Sequence, residues 1–380
     1  MNTKQFVLSS KVYFSPQSLH YLKQINGSHA FIVSDSIMEK LGYLQQAIDD
    51  LKEAGISASV FTEVRPDPDT GVVTAGLKEF RKSNADVLVA LGGGSAIDTA
   101  KGILYFAWQL TDLPNAKKPL FIAIPSTSGT GSEVTDFSVI TSEGEKVVLV
   151  DPYIAPDIAI LDSTCIRHVP QRVVADTGMD VLVHALEAYV SVNATDFTDA
   201  LAEKAIRIIF EYLPICYQNI EDSAARDKVQ NASCMAGMAF NNTNLGINHS
   251  LAHALGATFH IAHGRSNALL LTSVVEYNAN LKGAADTYAA ERYTQLAHML
   301  RLPARTRREG VVSLLQAVKE LKQKLQIESS IRALGIDNQA FEAALEPMAE
   351  SALADRCTPG NPRTPTKNDL IYIYRACYDV

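Results

Sequence analysis

Cysteine is scarce in this 380-residue chain and never closely paired. The five, Cys165, Cys216, Cys234, Cys357 and Cys377, are an odd number with no CxxC among them. That argues against a disulfide framework and a thiolate metal site, and fits a reducing cytoplasm. Positive charge is equally short of clusters. Lys plus Arg total 34 against 42 Asp plus Glu, a net charge of −8, and no basic run offers the footprint of a nucleic-acid binder. No apolar stretch approaches the roughly 20 residues of a membrane span. The opening "MNTKQFVLSS" lacks the apolar segment of a signal peptide. Internal repeats, low-complexity segments and the GxGxxG fingerprint are also missing. A cytoplasmic globular protein is expected, long enough for two domains with full cores.

What is present changes rhythm partway. "HAFIVSD" (29–35), "SASVFTEV" (57–64), "ADVLVALGGG" (85–94), "PLFIAIPS" (119–126) and "DIAILD" (157–162) read as strands. Amphipathic stretches at 41–55 and 70–84 lie between them, and "VVLVDPYIAPD" adds a further strand or hairpin. Strands apolar throughout, spaced by helices, predict a parallel sheet covered on both faces. Beyond "RHVPQRVVAD" the apolar residues recur at helical spacing. One such helix starts with Asp196 as its expected N-cap and carries Phe197, Leu201, Ala205, Ile208 and Ile209 along a stripe. The expectation is an α/β, Rossmann-like nucleotide-binding domain over 1–170 and an all-α domain over 171–380. Ligands of such enzymes usually sit between the two halves.

"VLVALGGGSAIDTAK" is a strand, a glycine turn and a helix. Glycines let a ligand approach the backbone, and the helix turns its free N–H groups toward that point. Ser95 is an N-cap or a hydroxyl donor to phosphate. A second loop, "IPSTSGTGSEVT", supplies Ser126, Thr127, Ser128, Thr130 and Ser132. Asp35 ends "FIVSD", where a carboxylate accepts hydrogen bonds from a ribose diol and repels a 2′-phosphate, favouring NAD over NADP. Its other reading is a helix N-cap.

Four of the nine histidines fall within "GINHSLAHALGATFHIAHG" (246–264): His249, His253, His260 and His263. Asp180 and His184 are four apart, as are His249 and His253, and each pair shares a helical face. Two such clamps with His263 make a metal site of carboxylate and imidazole, a donor set for Fe(II), Zn(II) or Mn(II). An ion with open positions there acts as a Lewis acid on an alcohol or carbonyl oxygen. His260 is a surface or pocket residue.

Those segments, "GGGSAIDTAK", "IPSTSGTGSEVT", "DTGMDVLVHALEAYVS" and the histidine stretch, resemble the iron-containing alcohol dehydrogenase family, whose fold is dehydroquinate synthase-like. The likeness runs nearly the whole chain. It is nearest to the propanol and ethanol dehydrogenases of propanediol- and ethanolamine-utilisation microcompartments. The resemblance places the metal on Asp180, His184, His249 and His263, and His253 beside it, facing nicotinamide and substrate; because an imidazole exchanges protons near neutral pH, His253 is the expected catalytic proton relay. It assigns NAD(H) to Asp35, Gly93, Gly94, Ser95, Asp98, Thr127, Thr130 and Lys146. One departure stands out: many relatives have proline before the last metal histidine, where this chain has Ala262.

The resemblance implies reversible hydride transfer between NAD(H) and a short primary alcohol or aldehyde, with Fe(II) as the metal and Zn(II) the alternative. Expected partners are the small substrate, a second copy in a homodimer or larger homo-oligomer, and microcompartment proteins. No nucleic acid or membrane is expected. The strand-like "FVLSSKVYFS" is a candidate to pair with a partner's sheet edge. A polyol-acting enzyme of the same fold and a silent NAD-binding protein are the rival readings. A phosphosugar substrate calls for several pocket cations, and the histidine region offers few beyond Arg265.

Overall fold

The computed structural model describes residues 5–110, 117–142 and 145–379. They divide into two units, one holding Val7–Val169 with Ile220–Gly237, the other Pro170–Asn219 and Met238 onward.

The first unit is built on eight strands: β1 (Lys11–Phe14), β2 (His29–Ser34), β3 (Ser57–Phe61), β4 (Val87–Gly92), β5 (Leu120–Pro125), β6 (Phe137–Ser142), β7 (Glu145–Val150) and β8 (Ile158–Leu161). Six form a parallel sheet in the order β1-β8-β5-β4-β2-β3, and β6 with β7 make a separate antiparallel hairpin. Helices α1 (Ser36–Lys40), α2 (Tyr43–Glu53), α3 (Thr70–Ser83) and α4 (Gly94–Gln109) connect them. Every residue of β4 is buried, which is why that strand is apolar without alternation. Two cores form. Ile32, Val89 and Ile122 pack with Leu51, while Phe31, Leu88 and Phe121 pack with Ile103.

The chain leaves β2 for β3 on one side, then returns past β2 to β4 and continues outward. The direction therefore reverses between β2 and β4. In open parallel sheets ligands bind beyond the carboxyl ends of the strands at such a reversal. Asp35 follows β2 there, and Gly93 and Gly94 follow β4.

Lys11–Phe14 is an edge strand of the sheet, paired in parallel with β8 on one side, Lys11 opposite Ile158 and Phe14 opposite Leu161. Two expectations are corrected. The helix expected to be capped by Asp196 is capped by Thr195, whose hydroxyl accepts from the Thr198 N–H in a reciprocal capping box. Phe197, placed on the buried stripe, is 67% exposed and stacks on Phe6.

The second unit is helical: α5 (Gln171–Val190), α6 (Asp196–Gln218), the end of α7 (Ser223–Thr243), α8 (Ile247–Phe259), α9 (His263–Asn278), α10 (Tyr288–Met299), α11 (Arg307–Lys324), α12 (Asn338–Ala354) and α13 (Lys367–Tyr378). No described helix is long and apolar enough to cross a membrane. Ile247, Leu251, Leu255, Leu270 and Val274 pack with Phe341, Leu345 and Tyr374 around α8 and α9.

Candidate metal centre and dinucleotide cradle

α5 is buried almost all the way round, so the polar side chains on it need partners. Asp176, Asp180, His184 and Glu187 follow at steps of four, four and three, which keeps them on one face. α8 brings His249 to that face, then ends at His260, which adopts the left-handed conformation (φ 55°) that stops the helix. α9 starts at His263, and its closeness to α5 explains Gly264: a Cβ there would lie 2.1 Å from the Asp176 carbonyl oxygen. Ala262 just before has φ −54°, within the range that a proline imposes.

One ligand atom each from Asp180, His184, His249 and His263 comes within 4.8 Å of all the others. Asp180 Oδ1 lies 3.7 Å from His249 Nε2 and 3.5 Å from His263 Nε2. The His184 and His249 rings stack at 4.5 Å. Burial works against an Asp180 carboxylate, but the surrounding His263, His184 and His249 outweigh it and hold the acid far below its ordinary range. His249 donates or shares its Nδ1 with Glu187 Oε2 at 2.6 Å, leaving a buried Nε2 with no hydrogen-bond partner among the described residues. Burial would lower this imidazole's pKa, yet Glu187 and Asp180 raise it to about 9. An orphaned imidazole nitrogen facing a carboxylate and two further imidazoles fits a divalent cation well, and these are borderline nitrogen and oxygen donors. The residues present fit iron or zinc.

Several contributors carry no motif. Glu187, 5% exposed, also accepts from the Asn248 N–H at 2.7 Å. His253 shares its Nδ1 with Asp355 Oδ2 at 2.8 Å, and Asp355 also accepts from the Cys357 N–H. Burial pushes Asp355 up, but the His253 hydrogen bond and charge win and hold it far below the ordinary range. The His253 and His263 rings stack at 5.3 Å. His253 thus borders the four-residue cluster without belonging to it, and the 249/253 clamp that spacing alone offered is replaced by 249 with 263. Arg265 is buried and bound by Asp176 and Glu328, so its charge is taken up inside the protein. His260 is exposed.

In the sheet unit, Asp35 caps α1, its Oδ1 accepting from the Ile37 and Met38 N–H groups. Its Oδ2 lies 2.9 Å from where a Cβ on Gly92 would stand, and Gly92 has φ +157°. α4 is capped by Gly93 with no side-chain hydrogen bond, so Ser95 is the second helical residue and not the N-cap. A Cβ on Gly94 would come 2.7 Å from Thr130 Cγ2, and one on Gly93 would stand 3.5 Å from Thr127. The hydroxyl-rich loop is thus laid against the glycine turn. Ser132 donates to Asp98 Oδ1 at 2.7 Å, and Thr130 Oγ1 accepts from the Ser132 N–H. Ser128 Oγ is buried without a hydrogen-bond partner among the described residues. Glycine turn, uncapped helix start and spare hydroxyls fit a pyrophosphate. Lys146, on the hairpin, pairs with Asp67.

Comparison with known proteins agrees with this layout. The profile described as "Iron-containing alcohol dehydrogenase" matches residues 9–163, and "Fe-containing alcohol dehydrogenase family, C-terminal" matches 174–378. The chain is 40% identical to the 1-propanol dehydrogenase PduQ of Citrobacter freundii, over 95% of this chain and 96% of that one. It is 38% identical to an NADPH-dependent butanol dehydrogenase of Clostridium saccharobutylicum, over 98% of each. It is also 40% identical to an aldehyde-alcohol dehydrogenase of Streptococcus pneumoniae, over 99% of this chain but 46% of that one, so it spans about half that protein's length. An iron-containing alcohol dehydrogenase from Thermococcus thioreducens superposes with a TM-score of 0.90 at 34% identity, over 98% of this chain and 99% of that one.

Proposed function

The chain belongs to the iron-containing alcohol dehydrogenase family, and from that footing we propose that it interconverts short primary alcohols and aldehydes with NAD(H), 1-propanol and propanal or ethanol and acetaldehyde being the expected pairs. The observation that carries this reading is the convergence of Asp180, His184, His249 and His263 on one point. These four hold the metal, Fe(II) first and Zn(II) second. When bound, the ion supplies a Lewis acid toward the alcohol or carbonyl oxygen, and the dinucleotide accepts or donates the hydride.

The rest falls to the chain's own residues. Asp180 remains an anion throughout the working pH range and balances the cation's charge. Glu187 keeps a proton on His249 Nδ1, so that Nε2 presents its lone pair. Asp355 does the same for His253, leaving His253 Nε2 as the atom through which a proton passes to or from solvent. Residues 1–170 bind the dinucleotide and 171–380 the metal. In the first, Gly93, Gly94, Ser95, Thr127 and Thr130 hold the pyrophosphate region, supported by Asp98, while Lys146 adds a cation. Asp35 supports NAD over NADP, since its carboxylate repels a 2′-phosphate. With Arg265 bound by Asp176 and Glu328, an uncharged substrate is favoured over a phosphosugar. A homodimer or larger homo-oligomer, and residence in a cytoplasmic microcompartment, complete the reading through the likeness to the propanol dehydrogenases.

The test is elemental analysis of anaerobically purified protein, paired with NADH and NADPH oxidation on propanal with and without added Fe(II). About one metal per chain, with NADH turnover that follows it, is the expected result. Protein that binds NADH but stays inactive after reconstitution would favour the silent binder.

A further inference from the structure

Asn267 stands four residues after His263 on α9 and is fully buried. Its Nδ2 donates to Asp180 Oδ1 at 2.7 Å and lies 3.2 Å from His263 Nε2, touching two of the four converging side chains. Its Oδ1 accepts from Asn248 Nδ2 at 2.8 Å, and its backbone carbonyl accepts from the same group at 3.1 Å. Those bonds settle the amide's orientation, because a flipped Asn267 would turn its oxygen against the Asp180 carboxylate. Asn248, also fully buried, gives its backbone N–H to Glu187, which holds His249. The path from Asp180 through Asn267, Asn248 and Glu187 to His249 thus crosses α5, α9 and α8. His263 hangs from the same Asn267 nitrogen.

We propose that Asn267 is a positioning residue of the metal centre: its carboxamide holds Asp180 and His263 at coordination spacing, and through Asn248 it couples them to His249. The proposal rests on the four-residue metal reading above. A neutral amide suits the task. Its Nδ2 donates to the carboxylate, whose oxygen keeps a second lone pair, and packs beside the imidazole with no charge to compete with a cation. Outer partners of this kind typically govern metal affinity by 10–100-fold.

The experiment loads the full-length chain with Co(II) and follows its transfer to a chelator together with the visible Co(II) absorption band. Asn267→Ala is expected to lose roughly 10–100-fold in Co(II) affinity and to shift the band, with NADH affinity unchanged. Asn248→Ala keeps the backbone N–H on Glu187 and removes only the donor that orients Asn267. It is expected to move both readouts the same way by less, and it serves if Asn267→Ala fails to fold. Unchanged affinity and an unchanged band in the folded variants would overturn the proposal. A loss of affinity with an unaltered band would also overturn it, since general destabilisation does not reshape a ligand field. Asp180→Ala is the control. If it holds Co(II) as tightly as the parent, the metal reading itself falls, and this inference with it.

Discussion

His249 Nδ1 lies 2.6 Å from Glu187 Oε2, and the opposite ring nitrogen faces Asp180 Oδ1 at 3.7 Å. One carboxylate therefore holds the ring at Nδ1 while the other faces Nε2, the atom proposed to meet the cation. Glu187→Ala would strand two buried donors, the Asn248 N–H and the His249 Nδ1–H. Each unsatisfied group costs about 1–3 kcal/mol, and lost ligand orientation weakens metal binding roughly 10–100-fold. Metal retained after dialysis against a chelator and the melting temperature of the metal-free chain should both fall. A variant that keeps its metal as tightly as the parent would show that Glu187 only fills space.

His253 and Asp355 make the complementary case, because His253 meets the cluster through its ring alone, stacked on His263 and edge-on to His249 at 6.0 Å. His253→Ala should cut turnover about 100-fold or more, the low end of a typical proton-transfer contribution, while metal content stays near the parent's. Asp355→Asn frees the His253 tautomer and should lower kcat more than it raises KM. If metal and turnover vanish together in His253→Ala, the residue is a ligand and not a relay.

Much of the fold and of the candidate site is legible in the sequence, and the gaps have physical causes. β4 and its glycine turn announce themselves because a buried parallel strand is apolar throughout and a ligand loop needs glycine. The helical half announces itself by period. Spacing could not choose between His253 and His263, since an i,i+4 pair shows a shared face but not which neighbour that face meets. Gly264, packed on the Asp176 carbonyl, decides it by bringing the start of α9 to α5. Glu187 and Asn267 did leave a local trace, being three residues after His184 and four after His263. Asp355, 102 positions from His253, left none. Asp35 shows the opposite case, since the cap reading is met by Oδ1 alone and leaves Oδ2 outside the cap.

Gly94→Ala tests the dinucleotide cradle. The new Cβ would meet Thr130 Cγ2 at 2.7 Å, closer than real contacts allow, and Thr130 is held through the Ser132 N–H. The loop must move away from the turn. A tenfold or greater rise in the NADH dissociation constant is expected, about 1.4 kcal/mol, with metal content unchanged. An unaltered NADH affinity would mean that the pyrophosphate does not sit on this turn.

The last prediction concerns a buried carboxyl of the hydroxyl-rich loop, next in sequence to Ser132. Glu133 is 2% exposed, and burial raises its pKa from 4.5 to about 7 against the opposing pull of its own backbone N–H and of Lys101. Between those two pH values the folded chain keeps a proton that the unfolded chain has released. The stability this group contributes is therefore fully present below pH 4.5 and is lost as the pH rises through 7. Glu133→Gln carries a neutral amide of the same shape at every pH and removes that slope. Relative to the parent, the variant should gain up to roughly 3 kcal/mol across the window, from about 1.4 kcal/mol per pKa unit. Urea midpoints measured on both chains from pH 4.5 to 8 give the difference, in which titrating groups that do not feel Glu133 cancel and Lys101, which does, contributes only toward the upper end of the range. A difference that stays flat with pH would mean that Glu133 keeps its charge in the folded protein, with Lys101 and its three acceptors, Ser132, Thr135 and the Phe137 carbonyl, holding a full ion pair beside it.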